Sequence, residues 1–381
     1  MTAVQAVDQR RSHSALIAAL LGAAGAFLGF NLLLSAVPVI AARTGGDLAA
    51  GVSTGVFMFT TVLGQLTVGP ITRVMPHRLV FVLGLMLIGL PTLLFMLSER
   101  LPLLFAVTAV RGIGFGFCTV LATLLVISQA DQDRQGAAAG MFGFVSSVST
   151  VAAPSIGLWL LERGGNTVYI VTALTTMAFA PAVFLGKTST VKRERSVITY
   201  RSLLASAEVR RPLLALLGVT MMFGGIYSFM PVIAHRDAKV VLIVFGVCMA
   251  ISRTASGRVA DRHRADLLVV FSVGLAALGT AFVAVNMGLW LVLVGAALAG
   301  LGVGSVMTGS LVLVLARVGG PAMVAGSTLW NTCIDAGLAF GGFGLGFVAF
   351  AAGPRSVFYA CLVVLLVLLP VTIFDSLKAP A

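Results

Sequence analysis

Apolar residues along the chain fall into twelve long runs, each closed by a charge, a proline or a glycine cluster. The runs cover residues 15–42, 48–71, 79–98, 102–128, 136–161 and 167–186, then 212–234, 239–258, 266–286, 289–315, 321–350 and 355–375. A helix needs about 20 apolar residues to cross the ~30 Å core of a bilayer. Runs of this length must be helical, because in lipid only a helix satisfies its own backbone polar groups. The pattern predicts an all-α polytopic membrane protein. An N-terminal six-helix half spans 1–186, a cytoplasmic basic linker 187–211 and a C-terminal six-helix half 212–381. The first run, which starts after Ser14 and lasts to about Ala42, is longer than the apolar region of a cleavable signal.

Composition closes off the soluble classes. The 381 residues are 59% hydrophobic and 10% charged, against about 25% charged in an ordinary soluble domain. Too little charge remains to cover a water-facing surface, which excludes a soluble enzyme, a disordered chain and a nucleic-acid-binding protein. The net charge of +12 is dispersed among the apolar runs instead of forming a basic patch. Its placement carries the orientation. With the N-terminus inside, seventeen Lys and Arg fall in inner segments, six in outer ones, and only Arg111 and Arg253 within spans. Both termini are therefore expected in the cytoplasm. The strong preference for Arg over Lys, in a sequence rich in Ala, Gly and Val, points to a bacterial genome rich in G and C, hence to the inner membrane. The linker carries Lys187, Lys192, Arg193, Arg195, Arg201, Arg210 and Arg211. It either lies on anionic lipid or is a charged connector. The four cysteines are far apart, without metal or disulfide spacing.

The chain also repeats itself. Arg111-Gly-Ile-Gly-Phe-Gly116 in the fourth span matches Ala299-Gly-Leu-Gly-Val-Gly304 in the tenth, at an offset of 188. Gly69-Pro-Ile-Thr-Arg73 matches Gly257-Arg-Val-Ala-Asp261 at the same offset, and Ala137-Ala-Ala-Gly140 matches Met323-Val-Ala-Gly326 at 186. One period of half the chain length implies two six-helix halves in the same orientation. Transporters are often built this way, with the substrate site near the midplane between repeats.

On these residues the chain resembles the major facilitator superfamily of secondary transporters over essentially its whole length. The family's loop motif, Gly-x-x-x-Asp-Arg, is recognisable as Gly257 to Asp261 and Arg262. Its first-half copy, Gly69-Pro-Ile-Thr-Arg73-Val-Met-Pro-His77-Arg78, has Arg73 where the acid is expected. Arg111 and the glycines after it resemble the family's fourth-span motif. The fifth-span motif of proton-exchanging exporters is matched in part, by Gly140, Pro154 and Gly157, with Ser149 and Ala153 in place of two glycines. The resemblance implies two six-helix bundles related by a pseudo-two-fold axis along the membrane normal. It also implies alternating access around a central cavity lined by spans one, four, seven and ten. Spans one and four lack the buried acid often used by exporters of cationic drugs.

Few residues are left to carry chemistry. Of 13 acids, only Asp335 lies well inside a span. An ionised carboxylate there costs at least ~2.5–3.5 kcal/mol, and burial moves its titration towards neutrality, the property a proton carrier needs. Asn331 lies on the same helical face, four residues earlier. The structural alternative is an Asp bonding the backbone of a helix broken near Gly337, Gly341 and Gly342. Arg111 is read either as a partner in proton exchange or substrate charge, or as a tie to neighbouring carbonyls. Asp335 and Arg111 are thus the expected proton-coupling residues. Arg253 either reaches the cavity or snorkels to the interface. Asn31, Gln65, Tyr227, Thr308 and Asn331 are expected cavity-lining residues, each with helix–helix hydrogen bonding as the alternative. Gly69, Arg73, Arg78, Gly140, Pro154, Gly157, Gly257, Asp261 and Arg262 form the conformational motifs.

The glycine runs lie inside apolar helices with no Lys-Ser/Thr after them, so they do not cradle phosphates. No cofactor, ATP, metal or nucleic acid is expected, only a small-molecule substrate, lipid and a proton as coupling ion, in a monomer. The sequence thus reads as a proton-coupled exporter of small organic molecules. Uptake of a metabolite is the alternative. A membrane receptor or enzyme is remote, because His13, His77, His235 and His263 all fall in the tail or loops.

Overall fold

The computed structural model describes residues 3–34, 36–130, 134–181, 200–234, 237–262, 264–285, 288–319 and 322–378. Lys187, Lys192, Arg193, Arg195, His235 and His263 lie outside them. The chain is a series of helices: α1 (Ala3–Leu34), α2 (Ala36–Thr72), α3 (His77–Gly89), α4 (Leu101–Ser128), α5 (Gln135–Arg163), α6 (Gly165–Phe179) and a short α7 (Tyr200–Ala205). There follow α8 (Ala207–Ala234), α9 (Ala238–Arg262), α10 (Ala265–Val285), α11 (Leu289–Val318), α12 (Met323–Ala339), α13 (Leu345–Ala352) and α14 (Ser356–Lys378). Among the described residues, 11 stretches are long and apolar enough to cross a membrane, and a twelfth, Asn166–Phe179, is shorter. Large apolar side chains such as Phe271 (74% exposed) and Phe350 (93%) face outward, which suits contact with lipid.

Three details differ from the run boundaries. Helix continues unbroken from Ala36 to Thr72, through the polar residues that read as a loop after Ala42. At 1.5 Å per residue, Val37 and Ser53 would be about 24 Å apart on a straight helix. Both nevertheless line one recess, so the helical chain turns between them. The third span changes at Leu90–Met96 to a 3₁₀ helix, because Pro91 has no N–H for an α-helical bond. The eleventh span is broken by a π-helical turn, Phe340–Gly344, between α12 and α13.

Contacts divide the chain into two units. The first holds α1–α4, α5 from Val145 onward, and α6; the second holds the start of α5 up to Phe144, and α7–α14. The start of α5 is the one stretch that departs from a division by chain order.

Each unit has the same internal pairing. In the first, α4 packs on α1, α2 and α3, and α6 on α1 and α3. In the second, α11 packs on α8, α9 and α10, and α14 on α8 and α10. The glycine runs show why. A Cβ on Gly112 would meet Phe57 and Thr60 of α2, one on Gly114 would meet Gly84 and Ile88 of α3, and one on Gly116 would meet Thr61 and Gln65 of α2. Shifted by 188 residues, Gly300 faces Phe245, Gly302 faces Ser272 and Ala276, and Gly304 faces Met249 and Arg253. The contacted positions repeat at that offset as well as the glycines do. Alternate glycines let one helix lie backbone to backbone between two neighbours, which is how helices pack without a hydrophobic drive between them.

Candidate functional site

Arg111 is 2% exposed near the middle of α4. Its Nε donates to the Ile88 carbonyl at 3.2 Å and its Nη2 to the Gly29 carbonyl at 3.1 Å. The guanidinium also lies 5.8 Å from the centre of the Phe57 ring. In the 3₁₀ turn that begins at Leu90, Pro91 stands where an N–H would reach back to Ile88, so that carbonyl is open to Arg111. The geometry is that of a tie from α4 to α1 and α3. Beside it opens a recess between α1, α2 and α4, walled mostly by apolar side chains. Phe30 stacks on Phe57 and on Phe115 at ring separations of 4.8 Å and 4.3 Å.

The polar residues expected to line a cavity are engaged within their own units. The Asn31 amide donates to the Phe27 carbonyl at 2.8 Å. Gln65, fully buried, donates to the Thr119 hydroxyl at 3.3 Å. Tyr227 packs edge-on against Phe223 at 4.9 Å and near Phe245 at 5.9 Å. The Thr308 hydroxyl donates to the Arg253 carbonyl at 3.1 Å. Arg253 itself is 5% exposed, so it does not snorkel. Gly143 and Gly304 leave the room its side chain occupies.

Asp335 is partly buried on α12. Two residues before it, the Cys333 carbonyl accepts the Thr220 hydroxyl of α8 at 3.4 Å. Two residues after it, Gly337 lies against Leu217 and Thr220 of the same helix. At 3.6 residues per turn, those two positions share a face and Asp335 lies roughly opposite it. Asp335 therefore sits on the side of α12 turned away from α8, together with Asn331. The Asn331 amide donates to the Ser327 carbonyl at 2.9 Å. The π turn that follows is seated on α8, where Gly341 meets the backbone of Met221, Gly224 and Gly225. Such turns often mark functional segments.

The loop motif is built at one of its two copies. Gly257 and Asp261 are four residues apart, hence on one face of α9. Gly257 lies against the backbone of Gly136 and Gly140. The Asp261 carboxylate accepts the N–H groups of Gly136 at 2.6 Å and Ala137 at 2.8 Å. These belong to the first turn of α5, whose N–H groups have no partner within the helix, and an anion there is favoured by the helix dipole. Gly140 packs on the backbone of Arg253 and Thr254, which binds the start of α5 to α9. At the first copy Gly69 is buried, but Arg73 is exposed and Arg78 partly buried. Arg73 carries only donors, so it cannot accept N–H groups as Asp261 does. Arg262 is exposed. Further along α5, Pro154 is an internal proline, and Gly157 lies against the Leu32 backbone of α1.

A charged cluster stands apart from these expected residues. The Asp375 carboxylate accepts from Arg317 at 2.7 Å and Arg211 at 3.4 Å. Arg317 also donates to the Glu208 carbonyl at 2.6 Å. Nearby, Arg264 bonds Asp266 and the Ser376 carbonyl, each at 2.6 Å. The starts of α8 and α10 and the ends of α11 and α14 are thus held together by charge. In the sequence these residues read only as membrane-edge charges; the one available signal was the coincidence of charges at four span ends. Among the described residues no group of three His, Cys, Asp or Glu could hold a metal.

Comparison with known proteins agrees with this architecture. An MFS-type transporter of Bacillus subtilis strain 168, YfiU, itself uncharacterised, is 26% identical over 99 residues; the match covers 26% of this chain and 19% of that relative. The crystal structure of the human organic anion transporter MFSD10 aligns with a TM-score of 0.80 at 16% identity, covering 95% of this chain and 99% of that one. FucP in its outward conformation aligns at 0.76 and 16% identity, over 97% and 100% of the two chains. A bacterial homologue of the iron transporter ferroportin, outward-facing, aligns at 0.76 and 14% identity, over 97% and 100%. A family model described as the Major Facilitator Superfamily matches residues 19–285 and again 233–380. With that match over nearly its full length, the chain belongs to the Major Facilitator Superfamily.

Proposed function

We propose that this transporter expels a small organic molecule across the inner membrane of a bacterium, in exchange for protons. Its two halves, 1–186 and 212–381, alternate access to a central cavity, with both termini in the cytoplasm and the protein working as a monomer without ATP or cofactor. The observation that carries the proton reading is Asp335, an acid in the middle of an apolar span, on the face of α12 turned away from α8. Protonation of Asp335 favours one facing state and the substrate favours the other. A ligand shifts such an equilibrium only by its differential affinity for the two states. Arg111 contributes positive charge in the first half. The motif residues Gly140, Pro154 and Gly157 favour export.

The test is flux in proteoliposomes under an imposed pH gradient, in both orientations. Substrate accumulation that follows the gradient as exchange supports export. Accumulation with protons moving in the same direction supports uptake instead, a reading favoured by the likeness to the E. coli fucose:proton symporter FucP (TM-score 0.74, 16% identity). Flux indifferent to the gradient would overturn proton coupling.

A further inference from the structure

We propose that the recess between α1, α2 and α4 is a binding site for an amphipathic organic monocarboxylate, whose carboxylate is held by Arg111 and Thr108. The first support is charge. Arg111 is buried, and its partners are two backbone carbonyls and the Phe57 ring. None of these neutralises it, and no carboxylate pairs with it among the described residues. A buried cation in apolar surroundings favours an anion brought to it. Its Nη1 is engaged by neither carbonyl and is available as a donor.

The second support is independent. Threonines on these helices usually return their hydroxyl to their own helix, as Thr60, Thr61 and Thr72 do. The Thr108 hydroxyl does not: it is buried at 2% exposure, has no hydrogen-bond partner, and lines the recess. Thr108 and Arg111 are three residues apart, on one face of α4. Together they offer two donors, which match the two oxygens of one carboxylate. Ser53 and Thr54 bring two further hydroxyls to the lining, but Phe30, Leu33, Leu34 and Met58 offer no donors. The recess therefore suits a carboxylate with an apolar tail better than a phosphate or sulfate, whose additional oxygens and charge would meet these apolar side chains. The same apolar walls suit a hydrocarbon or aryl tail, and an ammonium would be repelled by Arg111. The proposal rests on the transporter reading only in taking the bound anion as cargo.

Binding to purified full-length protein in nanodiscs is measured by titration calorimetry with 4-phenylbutyrate, 4-phenylbutyramide and 4-phenylbutylamine. The carboxylate is expected to bind at least tenfold more tightly than the amide, and the amine not at all. Thr108→Val is expected to weaken the carboxylate at least threefold, and Met58→Trp, which fills the recess, to abolish binding. Arg111→Gln is expected to lose at least tenfold; should it fail to fold, Thr108→Val and Met58→Trp decide. Absence of carboxylate binding, equal binding of acid and amide, or indifference to both recess variants overturns the site. Counterflow in proteoliposomes separates the two readings. Carboxylate binding without flux leaves the site and removes its role in transport, whereas flux of another solute without carboxylate binding leaves the transporter and removes the anion.

Discussion

The Asp261 carboxylate on α9 accepts the backbone N–H of Gly136 in the first turn of α5, at 2.6 Å. The spacing of the loop motif follows from this contact. Gly257 brings the two helices to backbone distance, and the acid one turn later takes the free N–H groups of the helix it meets. Asp261→Asn removes the charge and one acceptor oxygen. Anions at helix starts contribute up to about 2 kcal/mol when partly buried, which corresponds to a loss of at most roughly 4–8 °C in melting temperature for a unit of this size. Gly136→Val should do more harm, since its Cβ would press on the Gly257 carbonyl and the Asp261 carboxylate. Thermal unfolding in detergent checks both, and an Asp261→Asn melt equal to wild type would remove the contact's structural role.

The repeat of the glycine contacts makes a paired prediction. Gly114→Val and Gly302→Val place a side chain at equivalent positions, against the backbone of α3 and of α10. Both should lower the yield of folded protein sharply, because overpacking costs about 1–3 kcal/mol even where side chains can adjust and backbone adjusts less. Gly346→Ala, whose added Cβ would meet nothing within 4 Å, is the control. Size-exclusion profiles of all three after detergent extraction give the answer. Unequal behaviour of Gly114→Val and Gly302→Val would show that the two units tolerate crowding differently.

Asp375 lies between two arginines, and its loss leaves Arg211 and Arg317 facing one another. Asp375→Ala should therefore destabilise by about 1–3 kcal/mol, towards the lower end because the arginine side chains keep 15–18% exposure at the membrane edge. The double variant Asp375→Ala with Arg317→Ala should lose less than the two single losses summed, as residues in one ion-pair network do. A double-mutant cycle of thermal melts measures this, and strict additivity would mean that the two residues act separately.

The sequence made the spans legible because a bilayer imposes one strong rule, a minimum apolar length. The repeat was legible because close helix approach requires small residues, and glycines at a fixed offset survive as letters. What stayed hidden depended on partners that a sequence does not name. Arg111 is held by the carbonyls of Gly29 and Ile88, and any residue carries a carbonyl. The motif announced Gly257 and Asp261 but not the start of α5 that they grip. Asp375 meets arginines 58 and 164 positions away, with no local signature. The helical turn after Ala42 was hidden for another reason: the glycine and polar residues there read as a loop, yet the backbone stays helical. The π turn at Phe340–Gly344, by contrast, falls where the glycines Gly341 and Gly342 offer a broken helix in the sequence.

Asp335→Asn separates proton coupling from substrate movement. Asparagine has the shape of a protonated aspartate but cannot release the proton. If Asp335 carries the coupling proton, the variant is fixed in the protonated form. It should still exchange substrate for substrate across the membrane, since counterflow needs no net proton movement, but it should fail to accumulate substrate against a gradient. Its melting temperature should stay near that of wild type, because Asp335 lies away from the contacts that join α12 to α8 at Cys333 and Gly337. Counterflow and pH-driven uptake are measured on the same proteoliposomes. Driven uptake at the wild-type level would remove Asp335 from coupling, and loss of counterflow together with driven uptake would make it a substrate or structural residue instead.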